Sequence, residues 1–495
     1  MAKLPFVAIK KGNSCMNKQP LFSGRTQELA NLRRFLSKKS ASLIVVRGRR
    51  RIGKSRLIQE FAKDHRFYSF AGLAPTEHTS AQSERDEFAR QLSEQTGLPE
   101  VKADDWGKLF ALLSERIQKG KVIVLFDEIS WMGSEDPDFL GKVKNAWDQK
   151  FKSNPELILV LCGSASAWIE KNILSSTGFL GRISYTLTLE ELPIPDCEWF
   201  WGKAASNISS FEKLKLLAVT GGVPKYLEEI DPTISAEENI RQLCFRKGGL
   251  LVDEFDHLFS NIFQRKSPLY QEIVKKLAYG SKEPAQLAKE VGVNFSGLFS
   301  EYLEELALSG FIKRDYTWHI KTGQDSKLSK FRLSDNYVRF YLRYIEKCRT
   351  KIDRGGFEFK SLMSLPEWNT IMGLQFENLI LNNRKLLHAS LGVSQEDIVS
   401  ENPFYQTRTT KQPGCQIDYM VETRFNTLYV CEVKFSRNPI GAEVMDEVQK
   451  KIDSINRPKG FSCRPVLIHV NGVSTSIMES DYFASVVNVS DYFQP

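Results

Sequence analysis

Apolar residues recur along this chain with two different periods. Residues 43–46, 67–71, 122–126 and 157–161 form short, nearly continuous apolar runs, the pattern of strands buried on both faces. Between them the period changes toward 3.6, as in Leu57, Ile58, Phe61 and Ala62, so predicted strands alternate with predicted helices. That alternation specifies a doubly wound parallel sheet. Upstream, Phe22-Ser23-Gly24-Arg25-Thr26-Gln27-Glu28-Leu29 opens an amphipathic helix that continues through Leu32, Phe35 and Leu36. From Glu191 to about Phe263 the pattern turns helical and includes Thr220-Gly221-Gly222-Val223-Pro224.

Over residues 269–316 the pattern reads helix, helix, helix, hairpin. Ile273, Val274, Leu277 and Ala278 mark the first helix, 284–288 the second, and Leu298, Leu303, Leu306 and Ala307 the third, before Gly310-Phe311-Ile312-Lys313-Arg314. This is the shape of a winged helix-turn-helix. A small helical module for protein contact has the same pattern, and the third helix carries Asn294, Ser296 and Ser300 beside Glu301, Glu304 and Glu305. Phosphates would repel those acids, so both readings stay open. Residues 349–360, with Gly355-Gly356, read as a linker.

The turn after the first strand is Gly48-Arg49-Arg50-Arg51-Ile52-Gly53-Lys54-Ser55, followed by Arg56. It fits G-x-x-x-x-G-K-[ST] at every fixed position. A strand, a glycine turn and a helix N-terminus together aim backbone N–H groups at a polyphosphate. Lys54 is expected to reach the β/γ-phosphates, and the Ser55 hydroxyl to ligate Mg²⁺. The run at 121–128 ends on Asp127-Glu128, at the carboxyl end of a strand, where open α/β sheets bind ligands. Asp127 is expected to hold Mg²⁺ through water and Glu128 to polarise the water attacking the γ-phosphate. The fourth run ends at Cys162-Gly163-Ser164, which puts a small hydroxyl near that phosphate. These residues spell an NTPase site.

A second constellation lies near the C-terminus. Gln416-Ile417-Asp418-Tyr419-Met420-Val421 and Leu428-Tyr429-Val430-Cys431-Glu432-Val433-Lys434 flank a short polar turn, an antiparallel hairpin by pattern. Asp418 then falls close to Glu432, and Glu432 and Lys434 project from one face while Val433 points to the other. Two carboxylates and a lysine on one strand pair suit metal-assisted phosphodiester cleavage: the acids hold Mg²⁺ and the lysine positions the attacking water. Glu377, on an amphipathic helix over 373–380, is the candidate third carboxylate, and Gln449 a weaker candidate. Glu358-Phe359-Lys360 matches the same Glu-x-Lys pattern but lacks an apolar strand around it.

Composition narrows the class. With 495 residues, 42% hydrophobic and 26% charged, the chain is an ordinary multidomain globular protein. No apolar run approaches membrane-spanning length, and Met1-Ala2-Lys3-Leu4-Pro5 lacks a signal peptide's apolar segment, which gives a cytoplasmic expectation and no membrane partner. The eight cysteines form no C-x-x-C pair, so neither a disulfide framework nor a zinc site is indicated. Cys162 and Cys431 fall within strand-like runs and are expected as buried thiols. The net charge of +8 permits an acidic partner without demanding one.

The motifs together resemble the archaeal and bacterial predicted ATPases of the STAND-like branch of the AAA+ class. The resemblance rests on Phe22-Ser23-Gly24-Arg25, the phosphate loop, Phe126-Asp127-Glu128, Leu161-Cys162-Gly163-Ser164, Leu180-Gly181-Arg182, Gly222-Val223-Pro224, and Arg332-Leu333-Ser334-Asp335 before Arg339-Phe340-Tyr341. It implies a multidomain α/β protein: a P-loop core with a parallel α/β/α sheet over 1–190, a helical lid over 191–263, a winged helix over 264–318, a helical linker over 319–360, and a restriction-endonuclease-like PD-(D/E)XK domain over 361–495. It implies ATP and Mg²⁺ as cofactors, Ser164 as the γ-phosphate sensor, Arg182 as an arginine contacting that phosphate in cis or from a neighbour, and Gly222 and Pro224 pressing the lid on the adenine. The pattern Gln416-Ile417-Asp418 fits only the looser form of the family's acid motif.

The expected activity is a Mg²⁺-dependent switch ATPase controlling a nuclease-like domain that acts on nucleic acid, DNA before RNA. A second copy of the chain or a regulatory protein is a further expected partner. A non-cleaving, ATP-gated DNA- or protein-binding switch is the alternative. A kinase is a third reading, since phosphate loops also serve phosphoryl transfer to acceptors, but the lid and winged-helix layout argues against it.

Overall fold

The structure, a computed structural model, describes residues 22–76, 78–263, 267–410 and 412–493. The polar leader before Phe22 lies outside the described residues. Five parallel strands make the first sheet: β1 (Ser42–Arg47), β2 (Arg66–Ala71), β3 (Val122–Asp127), β4 (Leu157–Gly163) and β5 (Ile183–Thr188), in the order β2-β3-β4-β1-β5. Both faces are covered. Ile44 and Val46 enter one core while Leu43 and Val45 enter another, which is why the strand reads as an unbroken apolar run. The pattern did not reveal β5. Ile183-Ser184-Tyr185-Thr186-Leu187-Thr188 alternates apolar and polar residues, as suits an edge strand paired only with β1.

Three longer helices follow, Ser210–Thr220, Ala236–Phe245 and Leu250–Phe263. The first two begin on serines whose hydroxyls cap them, Ser209 accepting from Glu212 N–H and Ser235 from Glu238 N–H. Then come Ser267–Leu277, Pro284–Val291 and Gly297–Leu308, and a hairpin of β6 (Ile312–His319) and β7 (Gln324–Leu333). Lys282 adds a bridge to Phe331 at the open edge of that hairpin.

Two expectations need correcting here. The hairpin crosses residue 318, because β7 occupies 324–333, and helix resumes only at Asn336–Phe340. The segment 349–360 is not a loose linker. It is helical to Asp353, turns at Gly355 (φ 71), and then seats Phe357 and Phe359 against Phe245. Two aromatic side chains outweigh the breaking tendency of the glycine pair.

The last unit places helix Trp368–Asn382 before β8 (Ile398–Gln406), β9 (Cys415–Thr423) and β10 (Thr427–Val433), then helix Glu443–Ser454, β11 (Ser462–His469) and β12 (Ser485–Asn488). The sheet order is β12-β11-β10-β9-β8, antiparallel across β8-β9-β10 and parallel across β10-β11-β12. One apolar core runs without a break from one face of the first sheet, through the helical segment and the hairpin, to one face of the second sheet. A separate core of Ile417, Met420, Leu428, Val430, Val444 and Val448 covers the second sheet's other face and takes in Trp318 from the hairpin. Thr317 Oγ1 donates to Tyr405 O at 3.0 Å, so the hairpin is fastened to the last unit rather than projecting into solvent.

Candidate functional site

The chain leaves β1 through a turn that only glycine permits at its first position. Gly48 has φ 147, and a Cβ there would lie 2.3 Å from the Leu189 carbonyl oxygen. Arg51 (φ 68) and Gly53 (φ 88) are also left-handed, and helix Lys54–Ala62 starts immediately after. Lys54 is buried, its Nζ donating to the carbonyls of Gly48 and Arg49 at 3.0 Å each. Ser55 Oγ donates to Asp127 Oδ2 at 2.5 Å. Glu128, at φ 50, turns its carboxylate to Ser164, whose N–H and Oγ donate to Oε2 at 3.0 and 2.9 Å. Lys54, Ser55, Asp127, Glu128 and Ser164 therefore meet at the carboxyl edge of the first sheet, from β1, β3 and β4.

The three consecutive arginines diverge. Arg49 is buried and ion-paired with Asp335 at 2.5 Å, with the Tyr226 hydroxyl 3.3 Å away and the Tyr226 ring beneath it. Burial opposes its charge, but Asp335, Tyr226 and Glu191 together outweigh burial and hold its pKa above the ordinary arginine value. Burial likewise raises the neighbouring Glu191 carboxyl to about 7, with Arg49 pulling it back. Arg51 reaches helix Leu250–Phe263, donating to both Glu254 oxygens at 3.0 and 3.1 Å. Arg50 lies over the Trp131 ring and in the field of Glu128. Arg49, Arg50 and Arg51 are the expected nucleotide-binding positions of the loop, and the side chains of Arg49 and Arg51 are engaged elsewhere. Both point into protein, which leaves their backbone groups for phosphate.

Beside the loop, a cleft of about 300 Å³ is lined by Phe22, Arg25, Gly53, Trp199, Phe200 and Pro224. Its aromatic walls and depth suit a purine ring. Pro224, at the first turn of helix Pro224–Leu227, lines it as expected. Gly222 does not. A Cβ on Gly222 would lie 2.2 Å from Leu192 O, its N–H is bonded to Glu191 and its carbonyl to Leu192 N–H, so it lets the backbone pack closely on residues 191–192. Trp199, 41% exposed, carried no signal in the sequence, since one tryptophan in a helical run is ordinarily packing.

Arg182 is also placed differently from the cis reading. It precedes β5, and in a parallel sheet the amino end of a strand lies opposite the phosphate loop, roughly 20 Å away for six residues at ~3.3 Å each. Its guanidinium is engaged instead by Asp148, at 2.8–3.1 Å, and its hydrogen bonds hold the Asp148 carboxyl well below the usual range.

In the second sheet the pairing Cys431↔Tyr419 brings Asp418 opposite Glu432. Glu432 is buried; Lys434 Nζ lies 3.0 Å from its Oε1 and 2.8 Å from Glu447 Oε2. Asp418 Oδ2 accepts from Val433 N–H at 2.9 Å. Burial and then the charge of Asp418 raise the pKa of Glu377, and burial and then Glu432 raise that of Asp418. The three acids are neighbours. Yet among the described residues no three His, Cys, Asp or Glu side chains converge as ready ligands of one metal ion, which corrects the expected Glu377–Asp418–Glu432 ligand set. Lys451, unnoticed in the sequence, reaches in from helix Glu443–Ser454, pairing with Glu432 and lying 3.6 Å from Asp418 Oδ1. Gln449 stands outside, bonded to Asp453.

A phosphate loop, an acid pair at the end of β3 and an aromatic cleft beside the loop define a P-loop ATPase. Residues 22–230 match the family described as an ATPase domain predominantly from Archaea. An uncharacterized protein of Methanocaldococcus jannaschii is 25% identical over 361 residues, 72% of this chain and 76% of that protein. Among solved structures, a Walker-type ATPase of Pyrococcus abyssi matches 65% of this chain and 96% of its own, at 17% identity and a TM-score of 0.49. The ORC2 protein of Aeropyrum pernix matches 68% of this chain and 95% of its own, at 12% identity and a TM-score of 0.41.

Lys54→Ala is expected to abolish ATP binding in calorimetry, whereas Glu128→Gln should bind ATP and lose steady-state phosphate release. Trp199→Ala should weaken ATP about tenfold, the ~1.4 kcal/mol low end of an aromatic–base stack, without changing the melting profile; unchanged affinity would remove Trp199 from the base cleft.

Proposed function

We propose that this protein is a Mg²⁺-dependent switch ATPase whose nucleotide state governs a C-terminal nuclease-like domain acting on nucleic acid, DNA in the first instance. The observation that carries this reading is a buried polar route between the two sites. Arg49 of the phosphate loop pairs with Asp335. The next residue, Asn336, exchanges hydrogen bonds with the Gln375 backbone carbonyl and side chain at 3.1 and 2.7 Å, and with Asn378 at 3.1 Å. Gln375 and Asn378 flank Glu377 on helix Trp368–Asn382. A shift of the loop on binding or losing the γ-phosphate would reach the acid cluster through groups that cannot be left unpaired without cost.

The residues at the first site fit a magnesium nucleotide: Ser55 Oγ and Asp127 offer paired hard oxygen donors, and Lys54 sits under the loop carbonyls that a phosphate would displace. Glu128 would orient the attacking water, with Ser164 holding its carboxylate in line. At the second site Asp418 and Glu432 would hold a divalent cation, which supplies Lewis-acid stabilisation of the scissile phosphate. Lys434 would offset charge on that phosphate. The three-helix and hairpin unit is read as the winged helix. Helix Gly297–Leu308 packs on Ser166–Ile169 of the ATPase domain, which argues against groove entry in this arrangement. Phe295 and Leu298, both more than half exposed at its start, suit a protein contact better. Arg182, beside the exposed Leu180, would act on a neighbouring copy if the protein assembles. Among the described residues no helix is long and apolar enough to cross a membrane, in keeping with a cytoplasmic protein.

One observation favours the non-cleaving alternative: Lys451 and Lys434 already neutralise Glu432. A cleavage assay separates the readings. Plasmid, linear and single-stranded DNA, and RNA, are incubated with Mg²⁺ or Mn²⁺, with and without ATP. Wild type should cut, and Glu432→Ala/Lys434→Ala should keep ATPase while losing cleavage; no cutting under any condition sinks the nuclease reading. Arg49→Met/Asp335→Leu, which removes both buried charges together, should still bind ATP and lose the dependence of cleavage on nucleotide.

A further inference from the structure

We infer that Lys451 is a tethered counter-cation that occupies the metal position of the C-terminal site and has to withdraw before a divalent ion can bind. The inference rests on the reading of Asp418 and Glu432 as cation-holding acids. Four carboxylate oxygens are at issue, and two have other partners. Glu432 Oε1 takes Lys434, 3.0 Å away, and Asp418 Oδ2 takes the Val433 N–H at 2.9 Å. Glu432 Oε2 is paired with Lys451 itself, and Asp418 Oδ1 faces the same ammonium at 3.6 Å. The two oxygens that face one another across the β9–β10 pair therefore share one cation, and it is an amine.

A magnesium ion bridging those two oxygens would need contacts of about 2.0–2.1 Å to each, which leaves no room for an ammonium between them. Repulsion between a divalent ion and the lysine charge adds to the exclusion. The two lysines of the cluster are not equivalent. Lys434 follows the last residue of β10 and is shared with Glu447. Lys451 comes from helix Glu443–Ser454, which packs through Val444, Val448 and Ile452, and its side chain is 28% exposed. A four-carbon stem at that surface can swing its charge into water with no movement of the backbone.

A phosphodiester offers the departing ammonium a new partner. A nucleic-acid backbone lying over the sheet would draw Lys451 off the acids, and cation binding and substrate binding would then favour one another. Without substrate the lysine keeps the buried acids neutralised and the centre shut.

The test uses the full chain without nucleotide. Mn²⁺ binding is followed by electron paramagnetic resonance, and the binding scored is the part lost on Asp418→Asn. Lys451→Gln should tighten that binding at least tenfold, and Lys451→Arg should behave as wild type. Phosphorothioate DNA should tighten it in wild type and have no further effect in Lys451→Gln. If Lys451→Gln leaves the affinity unchanged or weaker, the inference is overturned while the cation reading of the acids stands. If neither wild type nor Lys451→Gln shows any Asp418-dependent Mn²⁺ binding, the cation reading itself fails and takes the inference with it. A crystal structure of wild type with Mn²⁺ gives a check that no variant's folding can spoil: Lys451 Nζ must have left both acids, and a cation bound with the ammonium still between them overturns the inference.

Discussion

The ion pair between Arg49 and Asp335 is the constraint on which the rest of the molecule is built. Both side chains are buried, and a buried charge is tolerable only with its partner in place. Asp335 is doubly committed, since its Oδ1 caps the helix Asn336–Phe340 by accepting from Val338 N–H at 2.9 Å. The shape of the phosphate loop is thereby held from behind by a residue that follows the hairpin. An ATPase domain whose loop is fixed from outside its own sheet is not an independent unit. Its geometry reports on the position of the C-terminal half, and the reverse also holds.

Helices Pro224–Leu227 and Leu250–Phe263 are wired to the same loop. Arg51 and Glu254 make a two-pronged pair, and the Tyr226 hydroxyl bonds Glu254 while its ring lies under Arg49. Three successive arginines thus link the turn to helix Leu250–Phe263, to the post-hairpin segment and, through Arg50, to the field of Glu128. A loop of this kind has few low-energy arrangements, because moving one arginine strands an acid elsewhere. The continuous apolar core that joins the two sheets adds to this stiffness. Packed cores of this kind rearrange by discrete repacking rather than by gradual bending.

The two acidic centres use opposite electrostatic strategies. At the phosphate loop the cation is a lysine aimed at carbonyls and the acids stand at the end of β3, with β4 between, so the charges of that centre are laid out apart. In the second sheet the acids and lysines are already in contact, and the charge a cation would meet is satisfied from within. The raised pKa values of Glu377 and Asp418, caused first by burial, belong to the same picture of a crowded, poorly hydrated centre.

Much of the first centre was legible in the sequence because its chemistry is local. Gly48, Gly53, Lys54 and Ser55 are fixed by the geometry of one turn, and Asp127-Glu128 by the end of one apolar strand. The Asp418–Glu432 juxtaposition was legible too, since a hairpin's register follows from its short connection. The edge strands β5 and β8 were not, because partly exposed strands lack a continuous apolar run. Trp199, Asp335, Lys451 and the divergence of Arg49, Arg50 and Arg51 lay beyond any periodicity, as did the distance of Arg182 from the loop. Each depends on which distant segment packs opposite. Sequence determines what a residue can do within its own turn or strand pair; packing across the whole chain decides which charges meet, since burial makes an unmatched charge too costly to keep.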